Sequence, residues 1–334
     1  MKVLRQLVAL PPDTAACVGA FDGLHRGHIA LLEVAAQLAP AVALVTFDPH
    51  PAQILAPERA PPLLQSASQR ERVCRELGVD VLVLLPFDRE LASTEPAAFV
   101  ARVLLSGLAP AAVVVGPDFR FGAGRRGGVA ELQAILQGAE VPLAIAPEIA
   151  CPDDPQVKLS STRIRGAVAA GALASVTDML GRHYAVEGVV VRGAARGRTL
   201  GFRTANVDCQ GALLPPRGVY AAVLSELEGG RARRRWPAVA NLGVNPTFQD
   251  GREEAILEVH ALDAELGEAL YDRPVEVAFV ERLRPEQRFP DPEALRQQIA
   301  RDAASARELL TADALTRVSA TPLTRPQARR TGAT

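Results

Sequence analysis

Two histidines, His25 and His28, stand around Arg26-Gly27 at the end of the stretch Cys17-Val18-Gly19-Ala20-Phe21-Asp22-Gly23-Leu24-His25-Arg26-Gly27-His28. Imidazoles can donate hydrogen bonds to the charge that builds up on transferring phosphoryl oxygens. Gly19 and Gly23 let the backbone approach a ligand closely. The residues before the motif are small and apolar, and Ile29-Ala30-Leu31-Leu32-Glu33-Val34-Ala35-Ala36 behind it favours a helix. The pattern predicts a strand, a loop carrying Gly19, Phe21, Asp22 and Gly23, and a helix entered at the histidines. Such a loop offers backbone N–H groups and the positive end of the helix dipole at one spot, which suits phosphate. A bare H-x-x-H pair would read equally well as two surface polars. The whole string in its strand–loop–helix setting is what carries the chemistry.

Three further clusters have side chains that could act. Gly116-Pro117-Asp118-Phe119-Arg120-Phe121-Gly122 closes an apolar run with an acid, aromatics and glycines, although Asp118 alone could be a turn residue. Ser160-Ser161-Thr162-Arg163-Ile164-Arg165 precedes a helical stretch, where hydroxyls can cap exposed N–H groups and an arginine can clamp phosphate. Residues 197–207 read Gly-Arg-Thr-Leu-Gly-Phe-Arg-Thr-Ala-Asn-Val, with Gly197 and Gly201 ahead of Thr204 and Asn206. On an extended segment those last two share one face and could meet a metal ion or a phosphate, or simply be two solvated polars. In Leu257-Glu258-Val259-His260, the Glu258 carboxylate could accept a proton. His260, on the same face, reads as a satisfied barrel histidine.

Composition bounds the setting of these groups. With 334 residues, 48% apolar and 22% charged, the chain is long enough for two domains with separate cores. A net charge of −1 gives no basic excess to suggest nucleic acid. No apolar run reaches about 18 residues, and Met1-Lys2-Val3-Leu4-Arg5 lacks a signal-peptide core, so no membrane partner is expected and the cytoplasm is the default. Cys17, Cys74, Cys151 and Cys209 are too scattered for a zinc knuckle or a disulfide framework. Lys2 and Lys158 are the only lysines, so no G-K-[ST] tripeptide exists and a P-loop is excluded. The run Arg231-Ala232-Arg233-Arg234-Arg235, between two strand candidates, is expected to be a solvated hairpin loop.

The elements that must position these groups differ between the two halves. Apolar runs at 41–47, 81–85 and 111–115 alternate with helical patterns at 68–77 and from Pro96 to about Leu105, which predicts a parallel sheet covered on both faces. Ligands of such sheets collect beyond the carboxyl ends of strands, where the loops at 19–28, 47–51 and 116–122 would lie. From Tyr184 onward, short strand-like runs at 186–191, 219–224, 237–242, 256–261 and 274–280 predict a mainly antiparallel barrel or sandwich. An amphipathic helix follows over 292–310. The expected domains are 1–181 and 182–312, with a structureless tail over 318–334.

The histidine string resembles the G-x-F-D-G-x-H-x-G-H signature of the nucleotidyltransferase superfamily, in its FAD synthetase branch. Phe47-Asp48-Pro49-His50-Pro51, the 116–122 segment and the Ser160–Arg165 segment match further elements of bacterial FAD synthetase modules, in order. The second half is similar to riboflavin kinases: Gly218-Val219-Tyr220, Asn241-Leu242-Gly243-Val244-Asn245-Pro246-Thr247-Phe248 and Leu257-Glu258-Val259-His260 look like that family's G-V-Y, N-x-G-x-x-P-T-F and L-E-V-H elements. The resemblance spans residues 14–311.

The resemblance to bifunctional riboflavin kinase/FAD synthetases implies a Rossmann-like α/β nucleotidyltransferase domain joined to a β-barrel kinase. It implies riboflavin phosphorylated by ATP to FMN, then FMN adenylylated by a second ATP to FAD with release of pyrophosphate. His25 and His28 would face the transition-state phosphates; Ser161, Thr162 and Arg165 would hold the triphosphate; Asp118 and Phe119 would lie near the flavin or nucleotide. Gly197 and Gly201 would border ATP, Thr204 and Asn206 would bind Mg²⁺ with the nucleotide, and Glu258 would be the kinase base. Arg203 stands where the family has proline, a departure that could loosen the loop holding Thr204. Two alternatives remain open: an FMN adenylyltransferase whose barrel binds flavin without kinase activity, and a non-catalytic flavin-sensing regulator. A tRNA-aminoacylating enzyme, which also uses an H-x-G-H loop, is disfavoured by the lack of a K-M-S-K-S-like stretch.

Overall fold

A computed structural model describes residues 1–192, 204–209, 211–245, 254–262, 264 and 270–325. The chain packs as two compact units. One comprises Met1–Pro61, Val73–Leu159 and Thr321–Thr334; the other comprises Pro62–Arg72 and Ser160–Ala320.

The first unit is built on six parallel strands, β1 (Lys2–Leu4), β2 (Thr14–Val18), β3 (Ala41–Asp48), β4 (Val81–Pro86), β5 (Ala112–Val115) and β6 (Leu143–Ile145), in the order β1-β4-β3-β2-β5-β6. Small and β-branched residues let both faces bury. Ala16, Val18, Ala43, Val45, Val83, Val113 and Val115 form one core with Leu104, Leu108, Leu132 and Leu136. Helix α1 (Arg26–Leu38) covers the opposite face with Leu31, Leu32 and Ala35, and the Cys17 thiol donates to the Leu31 carbonyl at 3.3 Å. Burial pushes that thiol far above its ordinary range. The short helix α2 (Pro51–Leu55), α3 (Ala67–Leu77) and α4 (Arg89–Ser93) follow. Helix α5 (Pro96–Phe99) continues as a π-helix over Val100–Leu108, which buries Val100, Val103, Leu104 and Leu108 on the sheet. Helix α6 (Val129–Gly138) and a hairpin, β7 (Ala150–Cys151) with β8 (Asp154–Lys158), complete the unit.

Chain order matters for the site. From β2 the sheet grows to one side through β3 and β4, then returns to place β5 on the other side of β2. The carboxyl ends of β2 and β5 therefore flank the topological switch point, where ligands bind in open α/β sheets. The loops leaving those two strands are 19–25 and 116–122.

In the second unit, α7 (Ser161–Ala170) and α8 (Leu173–Leu180) lead to a closed antiparallel barrel. Its strands are β9 (Tyr184–Val191), β10 (Ala205–Asp208), β11 (Gly218–Glu228), β12 (Arg231–Asn245), β13 (Glu254–Ala261) and β14 (Pro274–Arg284), in the order β10-β13-β12-β11-β14-β9. Alternation sets its two faces. Tyr220, Leu224, Ala238, Ala240, Leu242, Leu257 and Val259 are buried inside, with the Tyr220 and Phe279 rings edge to face at 5.2 Å. The outward faces of Val219, Ala221, Val223 and Val239 are covered by Ala303, Ala306 and Leu310 of helix α9 (Pro292–Leu309) and the residue after it. Helix α10 (Ala312–Thr316) follows.

Three expectations meet differences here. The arginine run is the start of β12, because Gly229 and Gly230 (φ 56° and 71°) already make the turn. Glu226 and Glu228 then stand opposite Arg234 and Arg231. Helices α7 and α8 belong to the barrel unit, ahead of the boundary expected at 181/182. Residues 318–325 are packed rather than structureless: Val318, Ala320 and Leu323 are buried, and Leu323 N–H donates to the Leu77 carbonyl at 2.9 Å. Residues 326–334 lie outside the described residues.

Candidate functional site

The loop after β2 is sharply bent. Phe21, Gly23 and Leu24 have φ of 48°, 89° and 41°, a left-handed conformation that costs a bulky residue about 1–3 kcal/mol unless its surroundings enforce it. Burial enforces it: Phe21 and Leu24 are 1% and 0% exposed. The Phe21 ring lies against Gly19, where a Cβ would sit 3.2 Å from it, and meets the His28 ring edge to face at 5.1 Å. His25 is the residue preceding α1, so its extended backbone (φ −77°, ψ 172°) aims its ring back over the first turn, and His28 lies one turn on. The two imidazoles stack with centroids 3.6 Å apart and planes at 18°. Gly27 permits this, since a Cβ there would lie 3.1 Å from the His25 ring. His25 and Asp22 are buried and His28 is half-buried. No acidic residue occupies the first turn of α1, so its positive end is not offset by a carboxylate there.

Across the switch point, Phe119 N–H donates to the Gly116 carbonyl at 3.1 Å, and the Phe119 and Phe121 rings stack at 5.5 Å. Asp118 is exposed and pairs with Lys158 at 2.8 Å; Lys158 also reaches Glu148 at 3.2 Å. The hydrogen bond from Lys158 holds the Asp118 carboxyl below its usual range. Partial burial works against the Lys158 charge, yet the two carboxylates keep its ammonium above its usual range. Sequence reasoning missed Lys158, and its rarity was the available signal.

Ser161, Thr162 and Arg165 sit on the first turn and a half of α7, in the second unit. The capping hydroxyl is that of Ser160, which accepts from Arg163 N–H at 3.3 Å. Arg165 Nε donates to the Pro62 carbonyl at 2.8 Å.

On the barrel, a single cross-strand row gathers the other candidates. Asn206 stands opposite Glu258, Glu258 opposite Asn241, Asn241 opposite Val219, and Val219 opposite Arg284. Directly paired residues share a face, here the face turned to α9. Thr204, Glu258, His260, Asn241, Arg284 and Asp302 line a cavity of about 370 Å³ between barrel and helix, together with Phe289, Leu295 and Ile299. The oxygens of Thr204 and Asn206 are hard, neutral donors of the kind that suits Mg²⁺. Among the described residues no cluster of three His, Cys, Asp or Glu side chains could hold a metal. Polar groups and apolar walls line the same cavity. Gly197, Gly201 and Arg203 lie outside the described residues, as do Pro246, Thr247 and Phe248.

The structure thus brings Thr204, Asn206 and Glu258 together, and separately Gly19, Phe21, Asp22, Gly23, His25 and His28. Arg284 and Asp302 were not singled out from sequence, and Asn241 entered only as part of a family element without a role; tertiary pairing is what brings all three to the cavity.

A sequence profile described as FAD synthetase matches residues 8–163, and one described as riboflavin kinase matches residues 180–310. A bifunctional riboflavin kinase/FMN adenylyltransferase of Pseudomonas fluorescens is 39% identical over 318 residues, covering 92% of this chain and 98% of that one. The protein of the same description from Escherichia coli K12 is 38% identical, covering 87% and 91%, and that from Bacillus subtilis is 31% identical, covering 85% and 89%. A crystal structure described as a macrolide-efflux protein from Streptococcus pneumoniae matches with a TM-score of 0.78 at 30% identity, covering 90% of this chain and 95% of that one.

Proposed function

This chain belongs to the bifunctional riboflavin kinase/FMN adenylyltransferase family, and we propose the following division of labour among its residues. The chain phosphorylates riboflavin to FMN and adenylylates FMN to FAD. We assign the kinase to the barrel and adenylyl transfer to a module over residues 1–181.

In adenylyl transfer, an FMN phosphate oxygen attacks the α-phosphorus of ATP and pyrophosphate leaves. The nucleophile is already an anion, so no strong base is needed, and rate comes from positioning and charge stabilisation. His25 and His28 donate to the phosphoryl oxygens, with the N-terminus of α1 beside them. Ser161, Thr162 and Arg165 hold the triphosphate. Asp118 and Phe119 border the flavin or nucleotide.

In the kinase, the riboflavin 5′-hydroxyl attacks the γ-phosphorus of ATP and ADP leaves. Glu258 accepts the hydroxyl proton as the new O–P bond forms. Thr204 and Asn206 would hold Mg²⁺, which would offset charge on the nucleotide phosphates. Their donor set fits that ion, since Mg²⁺ takes few protein ligands and keeps water and phosphate oxygens. The apolar walls from Phe289, Leu295 and Ile299 suit the flavin ring. A cytoplasmic location is consistent with Cys17, Cys74, Cys151 and Cys209 not being joined in disulfides.

The observation that carries the kinase reading is that Thr204, Glu258 and Asn241 line one cavity, with Asn206 opposite Glu258 in the same cross-strand row. The experiment is a chromatographic time course of the purified protein with riboflavin, ATP and Mg²⁺. FMN should rise and then give way to FAD. FAD from supplied FMN but nothing from riboflavin would leave the barrel without kinase activity.

A further inference from the structure

Helix α9 has two halves with different tasks. Its C-terminal half lies on the barrel: Ala303 and Ala306 are small enough to pack against Val219, Ala221, Val223 and Val239. Its N-terminal half stands away, and the gap under Leu295 and Ile299 is the cavity. Asp302 marks the change. Its side chain is only 6% exposed, and a buried carboxylate is tolerated only when paired and hydrogen-bonded.

Its partner is Arg284 of β14. Arg284 Nε lies 3.0 and 3.1 Å from the two Asp302 oxygens, and Nη2 lies 2.8 Å from Oδ2. Gln298 Nε2, one turn back on the helix, donates to Oδ1 at 2.8 Å. The third guanidinium nitrogen, Nη1, donates to the Pro285 carbonyl at 3.1 Å, and the Phe289 ring lies 5.7 Å from the guanidinium carbon. Every nitrogen of this arginine is thus committed within the protein. The planar fork fixes angle as well as distance, which an ammonium would not do.

The strand end of the pair is equally fixed. The β11–β14 ladder slips between Val219 and Tyr220, so Val219 faces Arg284 while Tyr220 faces Arg282. Bulges of this kind re-aim side chains beside active sites. This one puts Arg284 in the same cross-strand row as Asn241 and Glu258.

We infer that Arg284 and Asp302 are positioning residues that tie α9 to the row holding the kinase base, and so set the width of the flavin slot and the affinity for riboflavin. The inference rests on the assignment of this cavity to riboflavin. The hydrogen bonds of the pair run within the protein, so its role is to hold the slot in shape, which acts on flavin binding and not on the chemical step.

Steady-state phosphorylation kinetics of Asp302→Asn, Asp302→Glu and Ile299→Glu test it. Tenfold in affinity is about 1.4 kcal/mol, the order of one hydrogen bond to a charged group. Asp302→Asn should raise the riboflavin KM about tenfold, with kcat and the ATP KM within about twofold. Asp302→Glu, which keeps a carboxylate for the guanidinium, should recover most of the loss. A helix held only for stability would show no such split, only a lower Tm and proportionate loss of kcat. Ile299→Glu places a charge in the slot and tests the assignment beneath: it should raise the riboflavin KM by an order of magnitude or more. An unchanged KM in Asp302→Asn with a raised KM in Ile299→Glu overturns the positioning role alone. No change in either overturns the assignment of the cavity. Should Asp302→Asn not fold, Gln298→Leu removes one donor to the same carboxylate, and an unchanged riboflavin KM there would overturn the inference equally.

Discussion

Gly27→Ala separates helix stability from catalysis in a single methyl group. A Cβ at position 27 would lie 3.1 Å from Cε1 and Nδ1 of His25. Ordinary carbon contacts begin near 3.5 Å, so the ring must give by about 0.4 Å. It cannot retreat onto His28, which is stacked against it with centroids at 3.6 Å, and must swing sideways. If 1 Å of misplacement costs up to about a hundredfold, 0.4 Å costs about sixfold, close to 1 kcal/mol in activation free energy. The same methyl group favours the helix, where alanine is better than glycine by up to about 1 kcal/mol. The expected variant therefore has an equal or higher Tm, undiminished riboflavin phosphorylation, and a kcat for FAD formation from FMN reduced about sixfold. Thermal denaturation and single-substrate assays read all three. Unchanged FAD formation would refute the claim that the position of the His25 ring matters, and a lowered Tm with loss of both activities would refute its locality.

His28→Ala should cut FAD formation from FMN by about a hundredfold to a thousandfold, the usual loss for one transition-state donor, while FMN formation stays intact; product chromatography checks this. Glu258→Gln should lower riboflavin phosphorylation by about 10² to 10⁴ and leave the conversion of supplied FMN to FAD unaffected. His183 gives a pH prediction. Burial, and then the nearby Arg317 charge, hold its pKa below the ordinary value of about 6.5, while the Ala314 backbone and Asp313 act in the opposite sense. The unfolded chain then binds more protons just below that value, so the stability His183 contributes is present above about pH 6.5 and is lost as pH falls through the folded-state pKa. Denaturant melts from pH 8 to 5 should show this fall, and His183→Asn should flatten it; an identical pH profile in the variant would exclude His183 as its source.

Much of the architecture was legible because it depends on short-range pattern. The apolar runs of the first half became parallel strands, and the histidine string entered α1 where its glycines and following helix formers placed it. Alternation put Thr204 and Asn206 on one strand face, and the register sets Asn206 opposite Glu258. What escaped depended on partners far along the chain. Asn241 joins the site only because β12 lies between β13 and β11 in that register. Arg284 reaches Asp302 only because the β14 ladder slips, and no periodicity in the sequence announces a slip. The arginine run read as a loop because its charges hid a strand whose turn lay in the two glycines before it. The chain beyond 317 read as structureless because single apolar residues, Val318 and Leu323, anchor it without a repeating pattern.

The central claim is that one chain carries two distinct sites, the first making the FMN that the second consumes. Its most direct test mixes His28→Ala with Glu258→Gln in the presence of riboflavin, ATP and Mg²⁺. Each variant alone should fail to make FAD from riboflavin, the first stopping at FMN and the second at riboflavin. The mixture should make FAD, because the kinase of one variant supplies FMN to the adenylyltransferase of the other. FAD formed from riboflavin by either variant alone, or FMN made from riboflavin by Glu258→Gln, would contradict the account.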